Sequence, residues 1–253
     1  MKTKHFLLFC AFFIASIYTN AQWSTDPANP GIVCDFSGIQ SDPQAFADGN
    51  GGVYVFWLDH RNGTNQTALD IYGQRYDADG YALWEEDGRL IMNHFNKINW
   101  FNVSRIYGDE LILGWVTHAE GEFGDSLKIQ KLDENGSTLW PADLLVSNTG
   151  FQPNAILGLQ GYKIIHDNAG YCISINTIYY GGSTRNRLTR FTSDGTLTGP
   201  YSGEPEGSAF GSSGLQSGFD AGNSVYLYYS SGNGSGAPMY CLKISVAGDT
   251  IWG

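Results

Sequence analysis

The sequence predicts an all-β fold, a β-propeller of four-stranded antiparallel blades of about 55 residues each, and three observations predict it. The first is a repeat. The segment Tyr76-Asp77-Ala78-Asp79-Gly80-Tyr81-Ala82-Leu83-Trp84 returns in altered form at 132–140, 191–197 and 244–252. Aligned on Gly80, Gly136, Gly195 and Gly248, the copies lie 56, 59 and 53 residues apart. Trp84, Trp140 and Trp252 follow their glycines by four residues, and Gly199 holds that place in the third copy. The second observation is composition: 33 glycines, 14% aromatic residues and only 15% charged residues suit many short strands joined by tight turns. The third is that no long stretch after the N-terminus carries apolar residues at three- and four-residue spacing, so helices are not expected.

The strands of the first unit follow from alternation and turn residues. A strand begins over 43–47, and Asp48-Gly49-Asn50-Gly51-Gly52 supplies the positive φ angles of a tight hairpin. Residues 53–58 (VYVFWL) form a strongly apolar strand, a polar loop runs through 59–69, and 70–76 form the third strand. The Asp79-Gly80 turn then reverses the chain into an expected fourth strand at 81–84. The same order recurs downstream. The apolar second strand returns at 111–115, 171–175 and 224–229, and the third strand at 126–132, 187–191 and 239–244. The third unit carries an extra segment at about 151–160, and the Gly/Ser-rich stretches 202–218 and 230–236 read as loops between strands.

The ends of the sequence match one another. Gln22-Trp23-Ser24 resembles the start of the fourth strand, and so does Ile251-Trp252-Gly253. Four units could close into a small ring with the strand of Trp23 beside 239–244, which would remove open edges. The alternative, which the abrupt stop favours, is a part of a longer propeller, incomplete at its C-terminus. Residues 1–21 combine a charged start, an apolar run at 6–17 and small residues before a cleavage point after Ala21, the pattern of a secretory signal peptide. The propeller is therefore assigned to 22–253. The run is too short to cross a bilayer and no later stretch replaces it, so a secreted or cell-surface location is expected.

Removing the signal takes away Lys2 and Lys4 from 14 basic residues and no acid from 25, leaving 12 against 25, or −13. So acidic a chain repels a phosphate backbone, which argues against nucleic acid as a partner. Three cysteines remain, Cys34, Cys172 and Cys241, enough for at most one intrachain disulfide.

The densest polar set is Asp59, His60 and Arg61 followed by Asp70 and Arg75. Asp59, Arg61, Asp70 and Arg75 are the candidate binding residues. An Asp and an Arg at a strand end facing another Asp can hold a carboxylate or a sugar, and the same groups commonly tie loops together by charged hydrogen bonds. Asp77-x-Asp79-Gly80 has the alternation of a calcium loop but lacks the distal Glu, so it reads as turn chemistry and calcium has weak support. The histidines show no metal-ligand spacing, and neither a nucleophile elbow nor a phosphate-cradling loop is present. No catalytic residue, metal site or cofactor is assigned from the sequence.

The pattern Asp48-Gly49-x-Gly51-Gly52-Val53-Tyr54-Val55-x-Trp57-x-Asp59-x-Arg61, followed by Asp70-Ile71-Tyr72-x-Gln74-Arg75-x-Asp77-x-x-Gly80-x-x-x-Trp84, resembles repeats of secreted Bacteroidetes β-propeller proteins. That resemblance implies a propeller exposed at or released from the cell surface, often by the type IX route with a C-terminal sorting domain, which this sequence does not contain. A sialidase Asp-box would place Asp two residues before Gly within Ser-x-Asp-x-Gly-x-Thr-Trp; here Asp79 adjoins Gly80, and the match fails. The expected function is thus a non-catalytic module for binding or display, with a glycan or a protein at the cell surface as partner. The alternative is a glycan-active enzyme, sialidase-like or another glycoside hydrolase, using the propeller's channel or rim.

Overall fold

A computed structural model of the chain describes residues 23–24, 26–62, 69–93, 97–106, 109–118, 125–148, 159–166, 172–180, 183–197, 216–219, 224–230, 238–245 and 250–252. The expected signal segment 1–21 and most of the stretches at 151–160, 202–218 and 230–236 lie outside these residues. The described strands make four antiparallel sheets. The first contains β1 (Gln40–Ala47), β2 (Val53–Asp59), β3 (Asp70–Tyr76) and β4 (Arg89–Met92) in sequence order. The second repeats the order with β5 (Lys97–Arg105), β6 (Leu111–His118), β7 (Asp125–Leu132) and β8 (Leu144–Asn148). The third comprises β9 (Leu159–His166), β10 (Cys172–Tyr180) and β11 (Ser183–Phe191) among the described residues. The fourth comprises β12 (Gln216–Phe219), β13 (Ser224–Ser230), β14 (Met239–Ser245) and β15 (Thr250–Trp252). This is the β-propeller architecture of meandering blades.

The first strands of neighbouring sheets approach one another, β5 against β9 and β9 against β12. At the first seam, Gln44 of β1 donates to the Phe101 carbonyl at 2.7 Å and accepts from the Val103 amide at 3.3 Å. The first strand of each blade is therefore the inner one, beside the axis. Alternation along the second strands sorts their side chains between two seams. Tyr54, Phe56 and Leu58 pack with Leu111, Leu113 and Trp115 in the core between the first two sheets. From the opposite face of β6, Ile112 and Val116 pack with Leu127, Ile129 and Phe191 in the next core. An apolar run buried on both faces is what a blade between two blades requires.

The outer strand is not where alternation placed it. Residues 81–84 make only an isolated bridge, Ala82 to Tyr76, and the outer strand is β4, five residues later. The reason is Trp84. Its amide donates to Gln74 Oε1 at 2.9 Å, and Gln74 Nε2 donates to the Glu85 carbonyl at 2.8 Å, so the chain turns inward at the indole. A second turn at Asp87 (φ 60°) and Gly88 (φ 90°) must then reset the chain before pairing resumes. Gln130 repeats this grip on the Trp140 amide at 3.1 Å. The expected strand start at 22–24 likewise becomes irregular chain at the described residues 23–24.

The repeated Gly and Trp meet between blades. A Cβ on Gly136 (φ 78°) would fall 2.8 Å from Ile91 and 3.3 Å from Trp84 of the preceding blade. On Gly195 (φ 84°) it would fall 2.9 Å from Trp140, and on Gly80 (φ 87°) 2.8 Å from Trp23. Each tryptophan thus lies on the next blade's left-handed glycine, where only glycine offers both the backbone angle and the space. Gly136→Ala is expected to cost about 2–3 kcal/mol in a denaturant titration, combining the left-handed penalty with overpacking. Gly31→Ala, with open space around its Cβ, is the control expected to change nothing measurable.

Candidate functional site

The four sequence-selected residues divide between the two ends of the first sheet. Asp59 and Asp70 pair directly across β2 and β3, with Arg61 just beyond. Arg75 pairs with Tyr54, five residues along β3 and roughly 16 Å away.

At the Asp59 end, the carboxylate is fully enclosed. Its Oδ2 accepts from Arg61 Nη2 at 2.7 Å and from Trp57 Nε1 at 2.9 Å, and its Oδ1 accepts from the Arg61 amide at 2.8 Å. Burial alone would raise the Asp59 pKa; the hydrogen bonds from Arg61 and Trp57 and the guanidinium charge outweigh it and hold the carboxyl below its ordinary value. Arg61 also donates to the Asp87 carbonyl at 2.8 Å and to Cys34 Sγ at 3.1 Å, and lies 4.0 Å over the Tyr72 ring and 4.5 Å over Phe36. Asn62 bridges Asp70 Oδ2 (3.0 Å) and Tyr72 Oη (2.8 Å). These groups bind one another and pin the N-terminal segment at Cys34 and Phe36 to the blade.

At the opposite end, Arg75 bridges blades. It donates to Asp48 Oδ2 at 3.1 Å within its own sheet and to Glu134 Oε2 at 3.3 Å and the Glu134 carbonyl at 3.4 Å in the next. Lys131, at the same place in the second unit, donates to the Ser193 carbonyl at 3.1 Å, which also accepts from Trp140 Nε1 at 3.2 Å. The cation five residues before the turn glycine is thus an inter-blade tie. Asp77 closes its own turn, accepting from the Asp79 and Tyr81 amides at 3.0 and 2.8 Å.

The inner strands carry what the sequence reading passed over. Asp42 has φ 52°, a left-handed angle that is costly for a residue other than glycine, and it sits where the register of β1 against β2 shifts between Ser41 and Gln44. It is exposed, accepting only from Ser41 Oγ at 3.4 Å among the described hydrogen bonds. β5 has its own shift between Ile98 and Trp100, and the Trp100 ring is 45% exposed. Gln44 stands opposite Phe101 and Val103, so Asp42 and Trp100 occupy the same end of adjacent inner strands. Gln40, held by the Phe36 carbonyl (3.2 Å) and Asp59 (3.5 Å), ties the start of β1 to the Arg61 cluster. The sequence signal for Asp42 was an Asp-Pro pair at the head of an inner strand, invisible until the strand order was known.

A cleft of about 290 Å³ adjoins β1, walled by Ile32, Val33, Pro43, Val55 and Trp57. Val55 and Trp57 correspond by register to Leu113 and Trp115, which are wholly buried against the first sheet. The cleft lies between that flank of the first blade and the N-terminal segment at Ile32 and Val33, with Trp57 buried and mainly apolar walls that offer few polar groups to orient a ligand, unlike Asp42 on the inner strand.

No protein-family profile and no curated protein matches the chain. Solved structures do. An endo-arabinase from Bacteroides thetaiotaomicron is 12% identical with a TM-score of 0.50, over 82% of this chain and 76% of that one. A thermostable family-43 glycoside hydrolase is 13% identical with a TM-score of 0.50, over 80% and 71%. A polysaccharide lyase, an ulvan lyase bound to a GlcA–Rha3S oligosaccharide, is 11% identical with a TM-score of 0.56, over 81% of this chain and 52% of that one. At such identities the likeness is one of fold. All three are carbohydrate-active enzymes, which corrects the expectation of a non-catalytic display module: the propellers this chain is similar to are enzymes. A local motif does not carry this information, because residues of separate blades come together only when the propeller folds. Among the described residues no helix is long and apolar enough to cross a membrane.

Proposed function

We propose that this chain is a glycan-active enzyme domain that works at the axial end of the propeller where Asp42 and Trp100 lie. The observation that carries this reading is Asp42 itself. A carboxylate kept in a left-handed conformation at a bulge is an energetic cost that the fold tolerates, and such residues gather where function requires them. A carboxylate beside the axis can accept a proton from an attacking water, or from the sugar ring in an elimination. An indole exposed on the adjoining inner strand offers an apolar face to a pyranose ring. The Asp59–Arg61 cluster acts at one remove: through Gln40 it positions the start of β1, and with it the backbone at Asp42. The N-terminal segment supports export, so the substrate class is a polysaccharide outside the cell.

Asp42→Gly is the informative variant. It removes the carboxylate and relieves the backbone, so stability should stay equal or rise by up to about 1 kcal/mol. Activity should fall about a hundredfold or more, the usual worth of a positioned acid or base. The assay is product release from plant, algal and host polysaccharides, with reducing ends reporting hydrolysis and an ultraviolet-absorbing unsaturated product reporting elimination. Equal turnover by wild type and Asp42→Gly, or no release from any polymer, would sink the proposal.

A further inference from the structure

At the Asp42 end of the first seam, one titratable side chain bonds to no described residue. His60 follows β2, and its amide donates to the Ile39 carbonyl at 3.1 Å, which carries the pairing of β1 and β2 one residue past Gln40 and Asp59. Alternation sorts the side chains here between two sides. Asp59 goes to the side of Trp57 and Arg61, and His60 to the side of Leu58, which packs with Ile98 in the core between the first two blades. Trp100 follows Ile98 across the β5 bulge, so His60 and the exposed indole stand at the same end of one seam. Asp42 lies three residues along β1 from Ile39, roughly 10 Å of strand.

The imidazole lacks the anchors that a histidine with a structural role takes. Its Nδ1 is enclosed and has no hydrogen-bond partner. Its Nε2 bonds to no described residue and is not enclosed, so the half-buried ring opens to solvent on that edge. The neighbouring carboxylates are engaged elsewhere, Asp59 by Arg61 and Trp57, and Asp70 by Asn62. Enclosed polar atoms without a partner are few in folded proteins, because their desolvation is left uncompensated, and a chemical role is one reason to keep one. Asp42, accepting only from Ser41 Oγ among the described hydrogen bonds, is the other group so placed. An imidazole and a carboxylate are the side chains that most often carry protons in catalysis.

Resting on the reading of Asp42 as the proton acceptor of a glycan-active site, we propose that His60 is its proton-donating counterpart, giving the Nε2 proton to the glycosidic oxygen of the substrate. In hydrolysis the electron pair of the breaking C–O bond goes to that oxygen, which takes the His60 proton. A water oxygen bonds to the anomeric carbon, and the water's proton goes to Asp42. In an elimination Asp42 takes a proton from a ring carbon, the freed pair forms the C=C bond, and the same oxygen leaves with the His60 proton. Exchange with solvent then restores both groups. Protonation of the departing oxygen is common to the two reactions, and the accessible Nε2 edge beside Trp100 is where the ring would meet it.

Leaving-group dependence tests this assignment. Wild type, Asp42→Gly and His60→Gln are compared on the polysaccharide that wild type degrades and on a 2,4-dinitrophenyl glycoside of the oligosaccharide it releases, whose leaving group departs without a proton. His60→Gln should lose about a hundredfold on the polymer and stay within about threefold of wild type on the activated glycoside. Its thermal midpoint should match that of wild type, because the side chain it replaces holds no neighbour by a hydrogen bond. Polymer turnover by His60→Gln equal to that of wild type, with Asp42→Gly inactive, would overturn this inference and leave the reading of Asp42 standing. Equal losses on the two substrates, or a variant that no longer folds, would give His60 a structural role and overturn it as well. A wild type inactive on every polymer, or no more active than Asp42→Gly, would remove the site itself and this inference with it.

Discussion

Trp140→Ala is expected to lower the unfolding free energy by about 3–5 kcal/mol, the usual cost of emptying a buried tryptophan site. The indole meets Phe191 edge-on at 6.0 Å, covers Gly195 and donates to the Ser193 carbonyl, so its loss opens the second seam on three counts. The neighbours cannot collapse into the gap, because Gln130 holds the backbone at residue 140 from both sides, through the Trp140 amide and carbonyl. Trp140→Phe separates these contributions. It keeps most of the packing and loses the hydrogen bond, so about 1 kcal/mol beyond the lost area is expected. Trp23→Ala, on an indole 43% exposed, should cost much less. Urea titrations of the three variants make the check; a Trp140→Ala loss no larger than that of Trp23→Ala would contradict the inter-blade role of the repeat.

Asp59→Ala should be as severe, about 3–5 kcal/mol, because it strands the Arg61 guanidinium, only 8% exposed, without its counter-ion. The double variant Asp59→Ala with Arg61→Met should recover part of the loss, since removing both charges avoids an uncompensated ion. The pH dependence has a definite sign. The folded-state pKa of Asp59 lies below its ordinary value of 3.8, so its contribution is fully present above that value and is lost as pH falls through the lowered one. Asp48, which burial would push up, is held low by the Asn50 amide, by Arg75 and by the Gly52 amide, and acts in the same direction. Stability should therefore fall steeply below about pH 4, and more shallowly in Asp59→Asn. Parallel acid curves for wild type and Asp59→Asn would refute this assignment.

Much of the architecture was legible in the repeat. The apolar second strands, the glycine turns and the unit length all reflect local demands, namely period-two burial and left-handed backbone, which a sequence states directly. The outer strand was misplaced because alternation cannot distinguish a strand from a segment drawn inward by a buried glutamine. Gln74 and Gln130 stand six residues before their glycines and were visible in the aligned units, but their bond to the tryptophan amide belongs to the fold. Arg75, which the sequence offers either as a ligand-binding group or as a tie between loops, joins two blades, and Glu134, 59 residues away, reaches it only when the sheets pack.

The Gly-x-x-x-Trp turn shows the division. By itself the sequence determined the blade, its four copies and their order, because each is built from contacts among residues a few positions apart. Only the tertiary structure decided what the turn is for: the tryptophan of one blade lies on the glycine of the next, across more than fifty residues of chain. It also decided which inner-strand residues stand at one end. Asp42 and Trp100 have nothing in common in sequence, and come to the same end of the axis because inner strands of successive blades stand side by side.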